Sequence, residues 1–167
     1  WNEIDLEAGQ WNIPAARMKM RHAHIVPLSK QAVAILRELW PLTGGGIAAK
    51  PGAPSYVFPG ARTRTRPMSN NTVNASLRRI GYTREQMTAH GFRATARTLL
   101  AELGWKPDAI ERQLAHKASG PLGAAYDRAQ YLDERRKMMQ AWANFLDSRR
   151  VCATVVPFRR KESGASR

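Results

Sequence analysis

The chain contains, in order, residue types that can handle a phosphate ester. His90 and Arg93 lie three residues apart, and His116, Lys117 and Tyr126 follow. An arginine guanidinium can neutralise two non-bridging phosphate oxygens at once. Histidines can move protons near neutral pH, and a tyrosine hydroxyl can attack phosphorus. The ordered set therefore has the parts needed to cleave a phosphodiester with a tyrosine.

Taken singly, these residues are weak signals. His90 and Arg93 share a helix face close to a predicted helix start, where free backbone N–H groups favour a phosphate. Polarity of a helix surface is nevertheless the usual explanation for such a pair. Tyr126 needs a base or a positive field, because roughly one tyrosine in a thousand is ionised at pH 7. A packed aromatic with its hydroxyl at the surface is the commoner role of a helical tyrosine, and Tyr131, five residues on, shows how ordinary such a residue is.

The composition favours a folded protein with a polyanionic partner. The 167 residues, of which 43% are hydrophobic, are enough for one domain with a core. Against 13 Asp and Glu stand 27 Lys and Arg, which gives a net charge of +14. Nucleic acid is the first candidate partner, although charge alone does not distinguish DNA from RNA.

The remaining composition predicts a cytoplasmic protein without a membrane partner. The single cysteine, Cys152, excludes an intramolecular disulfide and fits a reducing compartment. No apolar run approaches the ~20 residues of a membrane span, and no signal-peptide pattern is present. The sequence opens at Trp1 in an alternating pattern typical of the middle of a strand, so we expect a fragment.

Periodicity predicts a sheet followed by helices. Residues 3–14 alternate as a hairpin with a turn at Gly9, and a third strand covers residues 24–27. Ser29 is the expected cap of a helix that ends at Pro41 and the glycines at 44–46. Residues 41–55 are an expected loop.

The second half is predicted to be mainly helical. Ser69 and Thr88 are expected helix caps, and Pro107 suits the first turn of a later helix. Residues 122–146 are expected to be helical in two pieces. Their apolar stripe is interpreted as core and comprises Leu132, Met138, Met139, Trp142, Phe145 and Leu146.

A run of alternating arginines follows the short apolar stretch at residues 56–58. Arg62, Arg64 and Arg66 could grip phosphates from a loop, and a solvated surface loop is an equally good interpretation.

Other chemistries have little support. His22 and His24 alternate on a strand end but lack acidic or cysteine partners with ligand spacing, so we expect no metal. The glycines at 44–46 lack the lysine and hydroxyl residue of a nucleotide-binding loop. No paired-carboxylate signature for two magnesium ions stands out. A route through tyrosine that needs no metal or cofactor fits better.

The ordered residues, together with Lys19, resemble the catalytic domain of the tyrosine recombinases, the phage-type integrases. That family has a lysine on the turn between two strands, about eight residues before a proline, and Lys19 stands eight before Pro27. The phrases at residues 11–14, 24–29 and 125–131 are similar to the branch found in prophages and genomic islands.

The resemblance implies an α+β, mainly helical fold, with a small antiparallel sheet at the N-terminal side packed against a helical bundle. Residues 1–150 would form the catalytic domain, truncated at its N-terminal edge. Residues 151–167 would be a tail with a possible strand and a basic flexible end.

The resemblance also implies a mechanism. Tyr126 would attack the scissile phosphate and form a 3′-phosphotyrosyl link, while Arg93 would clamp the non-bridging oxygens. Lys19 would protonate the leaving 5′-oxygen, His90 would help move protons, and His116 would hydrogen-bond the phosphate. Neither ATP nor a metal is required.

The implied partners are double-stranded DNA with attachment sites, three further protomers in a homotetramer, and a possible directionality factor. Lys117 and the arginines of the loop would contact DNA. The family places another catalytic arginine before the first strands, so we expect the fragment itself to cleave DNA poorly.

Two alternatives stay open. A type IB topoisomerase would use the same chemistry without exchanging strands, although the integrase-like phrases favour recombination. A nucleic-acid-binding module without catalysis would explain the charge but not the ordered spacing.

Overall fold

The computed structural model describes residues 1–19, 21–44, 55–116 and 131–151. Within these ranges three strands form one antiparallel sheet in the order β1-β2-β3, with β1 at Ile4–Asp5, β2 at Gln10–Ile13 and β3 at His24–Pro27. The α-helices in the same ranges are α1 Lys30–Leu39, α2 Thr72–Arg79, α3 Ala89–Glu102, α4 Pro107–Gln113 and α5 Leu132–Val151. The predicted α+β fold, mainly helical with a small N-terminal sheet, is confirmed.

The sheet follows the predicted hairpin and third strand. Ile4 pairs with Trp11 across the first two strands, and Trp11 pairs with Val26 across the second two. Gly9 adopts a φ of 60°, a left-handed conformation that glycine takes without steric cost. Strand β3 packs against α5, so the sheet is attached to the helical part through its third strand.

The end of α1 differs from the sequence-based expectation. Ser29 caps the helix as predicted, with its hydroxyl accepting from Ala32 N at 3.2 Å. The chain then continues through Pro41 as a π-helical turn at Trp40–Gly44 instead of entering a loop. The turn packs through Trp40, whose ring meets the Trp1 ring edge-on at 5.1 Å. The rest of the expected loop, residues 45–54, lies outside the described residues.

The predicted cap of α2 is wrong. The N-cap is Asn71, which makes no side-chain cap bond. Ser69 instead opens a turn, because its carbonyl accepts from Thr72 N at 3.0 Å and its hydroxyl lies 3.1 Å from the Thr72 hydroxyl.

The core in the described ranges joins α3, α4 and α5. Its buried members are Leu100, Ala109, Ile110 and Met138, with Trp105, Leu114, Met139 and Trp142 packed around them. The predicted stripe on α5 is therefore largely correct. Leu146 is the exception, since it is 47% exposed, and the stripe ends where Trp142 stacks on Phe145 at 5.7 Å.

A buried cation links α5 to two other elements. Arg135 has no exposed surface, and its Nε donates to Gln113 Oε1 at 2.9 Å while its Nη2 donates to the Ile25 carbonyl at 2.6 Å. Loss of solvation, helped by the positive charge of Arg112, lowers the pKa of Arg135 to about 10. The side chain therefore stays charged at neutral pH and connects α5 to β3 and α4.

Arg135→Ala should lower the free energy of unfolding by about 3 kcal/mol or more, because it leaves buried acceptors without a donor and opens a cavity. Chemical denaturation followed by circular dichroism measures the loss. The matched control is Arg136→Ala, which removes an exposed ion pair with Asp133 at 3.0 Å and should cost under about 1 kcal/mol. Equal losses in the two variants would contradict the structural role of Arg135.

Candidate active site between helices α3 and α4

Helix α3 begins as the sequence predicts. Thr88 is the N-cap, and its hydroxyl accepts from Gly91 N at 3.1 Å. The amide of Ala89 donates to Asn74 Oδ1 of α2 at 2.8 Å. Two of the helix-start N–H groups expected to be available for phosphate are thus satisfied by protein atoms. The cap fixes His90 in the first turn.

The two predicted residues on α3 have different surroundings. His90 is exposed, and its side chain has no hydrogen-bond or ion-pair partner within the described ranges. Arg93 is half-buried, and its Nη2 donates to the carbonyl of Leu114 at the end of α4. Leu114 precedes His116 by two residues, so this contact brings Arg93 to the segment that carries the second histidine.

The end of α4 is a tight left-handed turn that positions His116. Ala115 has a φ of 51°, its N–H donates to Arg112 O at 3.1 Å, and His116 N donates to Glu111 O at 3.0 Å. These two bonds form a Schellman motif. In the same motif at the ends of α2 and α3, the left-handed position is occupied by Gly81 and Gly104.

Two residues near His116 were not predicted from the sequence: Glu111, which contacts His116, and Arg97, which contacts Glu111. Glu111 Oε2 lies 2.5 Å from His116 Nδ1, and Glu111 Oε1 accepts from Arg97 Nε at 2.6 Å. Partial burial raises the pKa of the Glu111 carboxyl, but hydrogen bonds from His116 and Arg97 outweigh burial and leave that pKa below its usual value. Glu111 is therefore ionised at neutral pH. The contact could have been predicted from one feature of the sequence, a glutamate five residues before a histidine with a helix end between them.

Lys19 lies where a lysine between two strands was expected. It follows a 3₁₀ turn at Ala15–Arg17 in the connection from β2 to β3. Its side chain is exposed and makes no hydrogen bond or ion pair with the residues that the structure describes. Hydrogen bonding thus associates Arg93 with the His116 segment but does not associate Lys19 with either.

The three loop arginines lie on a turn closed by a bridge between Pro59 and Pro67. All three side chains are exposed. Arg64 Nη1 donates to the Leu42 carbonyl at 3.1 Å, which ties the loop to the π-helical turn. Arg62 and Arg66 make no side-chain hydrogen bond or ion pair in the described part of the chain.

The remaining predicted site residues, Tyr126 and Lys117, lie outside the described residues, as do the tail after residue 151 and Cys152.

The two strand-end histidines do not form a pair. His24 is 6% exposed and part of the interior, whereas His22 is exposed. Burial lowers the pKa of His24, and the positive charges of Arg135, Arg112 and Arg93 lower it further. A hydrogen bond with the Gln113 backbone raises that pKa, but by less than these effects together lower it. The described residues contain no group of three or more His, Cys, Asp or Glu arranged to hold a metal ion. None of their helices is both long and apolar enough to cross a bilayer.

Comparison with protein families shows the family to which this chain belongs. The Phage integrase family model matches residues 1–132. The chain belongs to the phage integrase family. The resemblance to tyrosine recombinases is thereby confirmed at the level of the family.

Phage and prophage integrases are among the similar curated proteins. Prophage integrase IntA of Escherichia coli K12 is 44% identical over 87% of this chain and 33% of its own length. The integrase of Enterobacteria phage P4 is 43% identical over 90% of this chain and 36% of its own length. The integrase of Shigella phage Sf6 is 39% identical over 89% of this chain and 37% of its own length.

This member of the phage integrase family spans about a third of the length of these relatives. No solved structure matches it significantly.

Ala115→Gly should raise the free energy of unfolding by about 0.5–1 kcal/mol. The left-handed conformation costs an alanine roughly 1–2 kcal/mol, and the greater unfolded-state freedom of glycine offsets part of the gain. Thermal denaturation measures the change. Gly104→Ala is the reciprocal control, because a methyl group there meets nothing within 4 Å, and it should be destabilising. A shift of both variants in one direction would contradict the interpretation.

The buried His24 should make stability fall as the pH drops from 7 to 5.5. Its pKa in the folded protein lies below 6.5, so the unfolded chain binds the proton first and acidification favours unfolding. The slope from one such group cannot exceed about 1.4 kcal/mol per pH unit. Urea titrations at both pH values should show the loss in the unmodified chain and a smaller loss in His24→Gln. Identical pH dependence in the two proteins would refute this.

Proposed function

We propose that this chain forms the catalytic part of a site-specific DNA recombinase, an integrase that cleaves and rejoins DNA through a 3′-phosphotyrosyl intermediate. The observation that carries the proposal is the contact of Arg93 with the Leu114 carbonyl. It associates a phosphate-binding residue of α3 with the histidine segment of α4, in a member of the phage integrase family. The integrase names of the relatives favour recombination over topoisomerase activity.

In the proposed first step, the Tyr126 hydroxyl attacks phosphorus as the bond between phosphorus and the 5′-oxygen breaks. The tyrosine proton leaves with help from His90, whose side chain is exposed and without a partner in the described ranges. Lys19 gives a proton to the departing 5′-oxygen. Because the tyrosine ester conserves the energy of the phosphodiester, a 5′-hydroxyl of another strand reverses the step and completes the exchange.

Two side chains, Arg93 and His116, stabilise the phosphate in this proposal. Arg93 neutralises the non-bridging oxygens, where negative charge increases in the transition state. It is half-buried, which limits competition by water and strengthens the interaction. His116 donates a hydrogen bond to the same phosphate from the adjoining turn.

The rest of the proposed DNA contact is electrostatic. The net charge of +14 favours binding to duplex DNA in general, and the exposed Arg62 and Arg66 are free to contact its backbone. Arg64 holds the loop through Leu42 while its exposed side chain adds positive charge. Lys117, the next residue in sequence after His116, adds a further positive charge to the proposed DNA contact.

We extend the proposal to the assembly. The full-length protein acts in the cytoplasm as a homotetramer on two attachment-site duplexes, with a directionality factor selecting the direction of exchange. The resemblance also implies a second catalytic arginine before the first strands, and we propose that this chain by itself cleaves DNA poorly.

Covalent trapping tests the proposal. The full-length protein is incubated with a nicked duplex carrying the attachment site read from the junctions of the integrated element. A protein–DNA band that survives denaturant is expected, because loss of the short nicked strand prevents religation. Tyr126→Phe should abolish the band, since it removes the attacking hydroxyl. Tyr131→Phe, five residues along, is the matched control and should retain it. Absence of a covalent band from the intact protein on its true site would refute the proposal.

A further inference from the structure

We infer that Glu111 is a positioning residue for His116, holding the imidazole so that Nε2 is free for the scissile phosphate. The inference rests on the proposed function, in which His116 contacts that phosphate.

Glu111 binds His116 at two points. Its backbone carbonyl accepts from His116 N at 3.0 Å, which closes the turn after α4. Its carboxylate lies 2.5 Å from His116 Nδ1, which restricts rotation of the ring. Since Nδ1 and Nε2 lie on opposite sides of an imidazole, fixing Nδ1 against α4 directs Nε2 away from the helix. Within the described ranges Nε2 has no partner, and the His116 side chain is 43% exposed.

Glu111 is itself held from α3. Arg97 Nε donates to the carboxylate oxygen that does not contact His116, at 2.6 Å. Arg97 follows Arg93 by four residues, so both arginines lie on one face of α3. Arg93 contacts the Leu114 carbonyl and Arg97 contacts the Glu111 carboxylate. The two contacts fix the end of α4 relative to the helix that carries the phosphate-binding arginine.

The contact also determines where the imidazole carries its proton. An ionised carboxylate only accepts hydrogen bonds, so Nδ1 must be protonated when it faces Glu111. A neutral ring in this state has an unprotonated Nε2, which accepts a proton or a hydrogen bond. Donation to a phosphate oxygen through Nε2 then requires the doubly protonated ring. Glu111 thus links the orientation of His116 to its protonation state.

A structural role alone would make a different prediction. The Arg97–Glu111 pair could stabilise the packing of α3 on α4 with no effect on His116. In that case, loss of the carboxylate would lower the melting temperature without changing the histidine tautomer or the cleavage rate of the folded protein.

The first measurement is nitrogen NMR of the full-length protein labelled with ¹⁵N-histidine, with His116→Gln to assign the signal. The wild type should show a protonated Nδ1 on His116 at neutral pH. Glu111→Ala and Glu111→Gln should shift the tautomer population toward a protonated Nε2. Asp133→Asn, which also removes a carboxylate paired with an arginine, is the matched control and should leave the His116 signal unchanged. The same signal in the wild type and both Glu111 variants would overturn the inference.

The second measurement is the rate of covalent complex formation on the nicked attachment-site duplex. Both Glu111 variants should slow it about tenfold or more, because the proton-transfer and phosphate contacts of a misaligned histidine are weakened. Affinity for the same duplex should change less than about twofold, because the Lys and Arg contacts to the DNA backbone that dominate binding stay in place. Unchanged cleavage would overturn the inference while the proposed function stands.

Failure of the two ideas can be distinguished. A wild-type protein that forms no covalent complex refutes the proposed function. The NMR comparison alone then still decides whether Glu111 positions His116.

Discussion

The buried guanidinium of Arg135 is the interaction on which the described structure most depends. A cation removed from water loses several kcal/mol of solvation, so it persists only where acceptors surround it. The Ile25 carbonyl and the Gln113 side chain supply acceptors from a strand and a helix that are far apart in sequence. Through them, α5 fixes the third strand and the end of α4 in one arrangement. The turn that carries His116 begins directly after Gln113, so the candidate site depends on the same contact.

Local sequence signals predicted most helices and strands, but not the features that depend on packing between distant segments. Alternation located the three strands, and Thr88 and Pro107 located helix starts, because these features act over a few neighbouring residues. The π-helical turn after α1 could not be predicted, since its packing involves the ring of Trp1. The burial of Arg135 could not be predicted either, because a charged residue between Glu134 and Arg136 in the sequence is typical of a solvated helix surface.

The candidate site shows the same division between local and distant information. The family was identified from the order and spacing of a set of residues, and the family comparison confirmed it; the set is Lys19, His90, Arg93, His116 and Tyr126. The surroundings of Arg93 and His116 required the packing of α3 against α4. Sequence alone gave no reason to connect Arg93 with the Leu114 carbonyl or Arg97 with Glu111. It also grouped His22 and His24 as alternating residues at a strand end, whereas only His24 enters the interior.

The left-handed conformation of Ala115 has a geometric consequence for the neighbouring histidine. If Ala115 adopted its preferred right-handed conformation, α4 would continue by a further residue, and each added residue turns an α-helix by about 100°. His116 would then rotate around the helix axis and leave both the carbonyl and the carboxylate of Glu111. The direction of the imidazole is therefore not set by the intrinsic preference of the chain at that point. Contacts from α3 and α4 impose this direction against that preference. The orientation of the His116 ring therefore depends on whether the two helices are correctly packed.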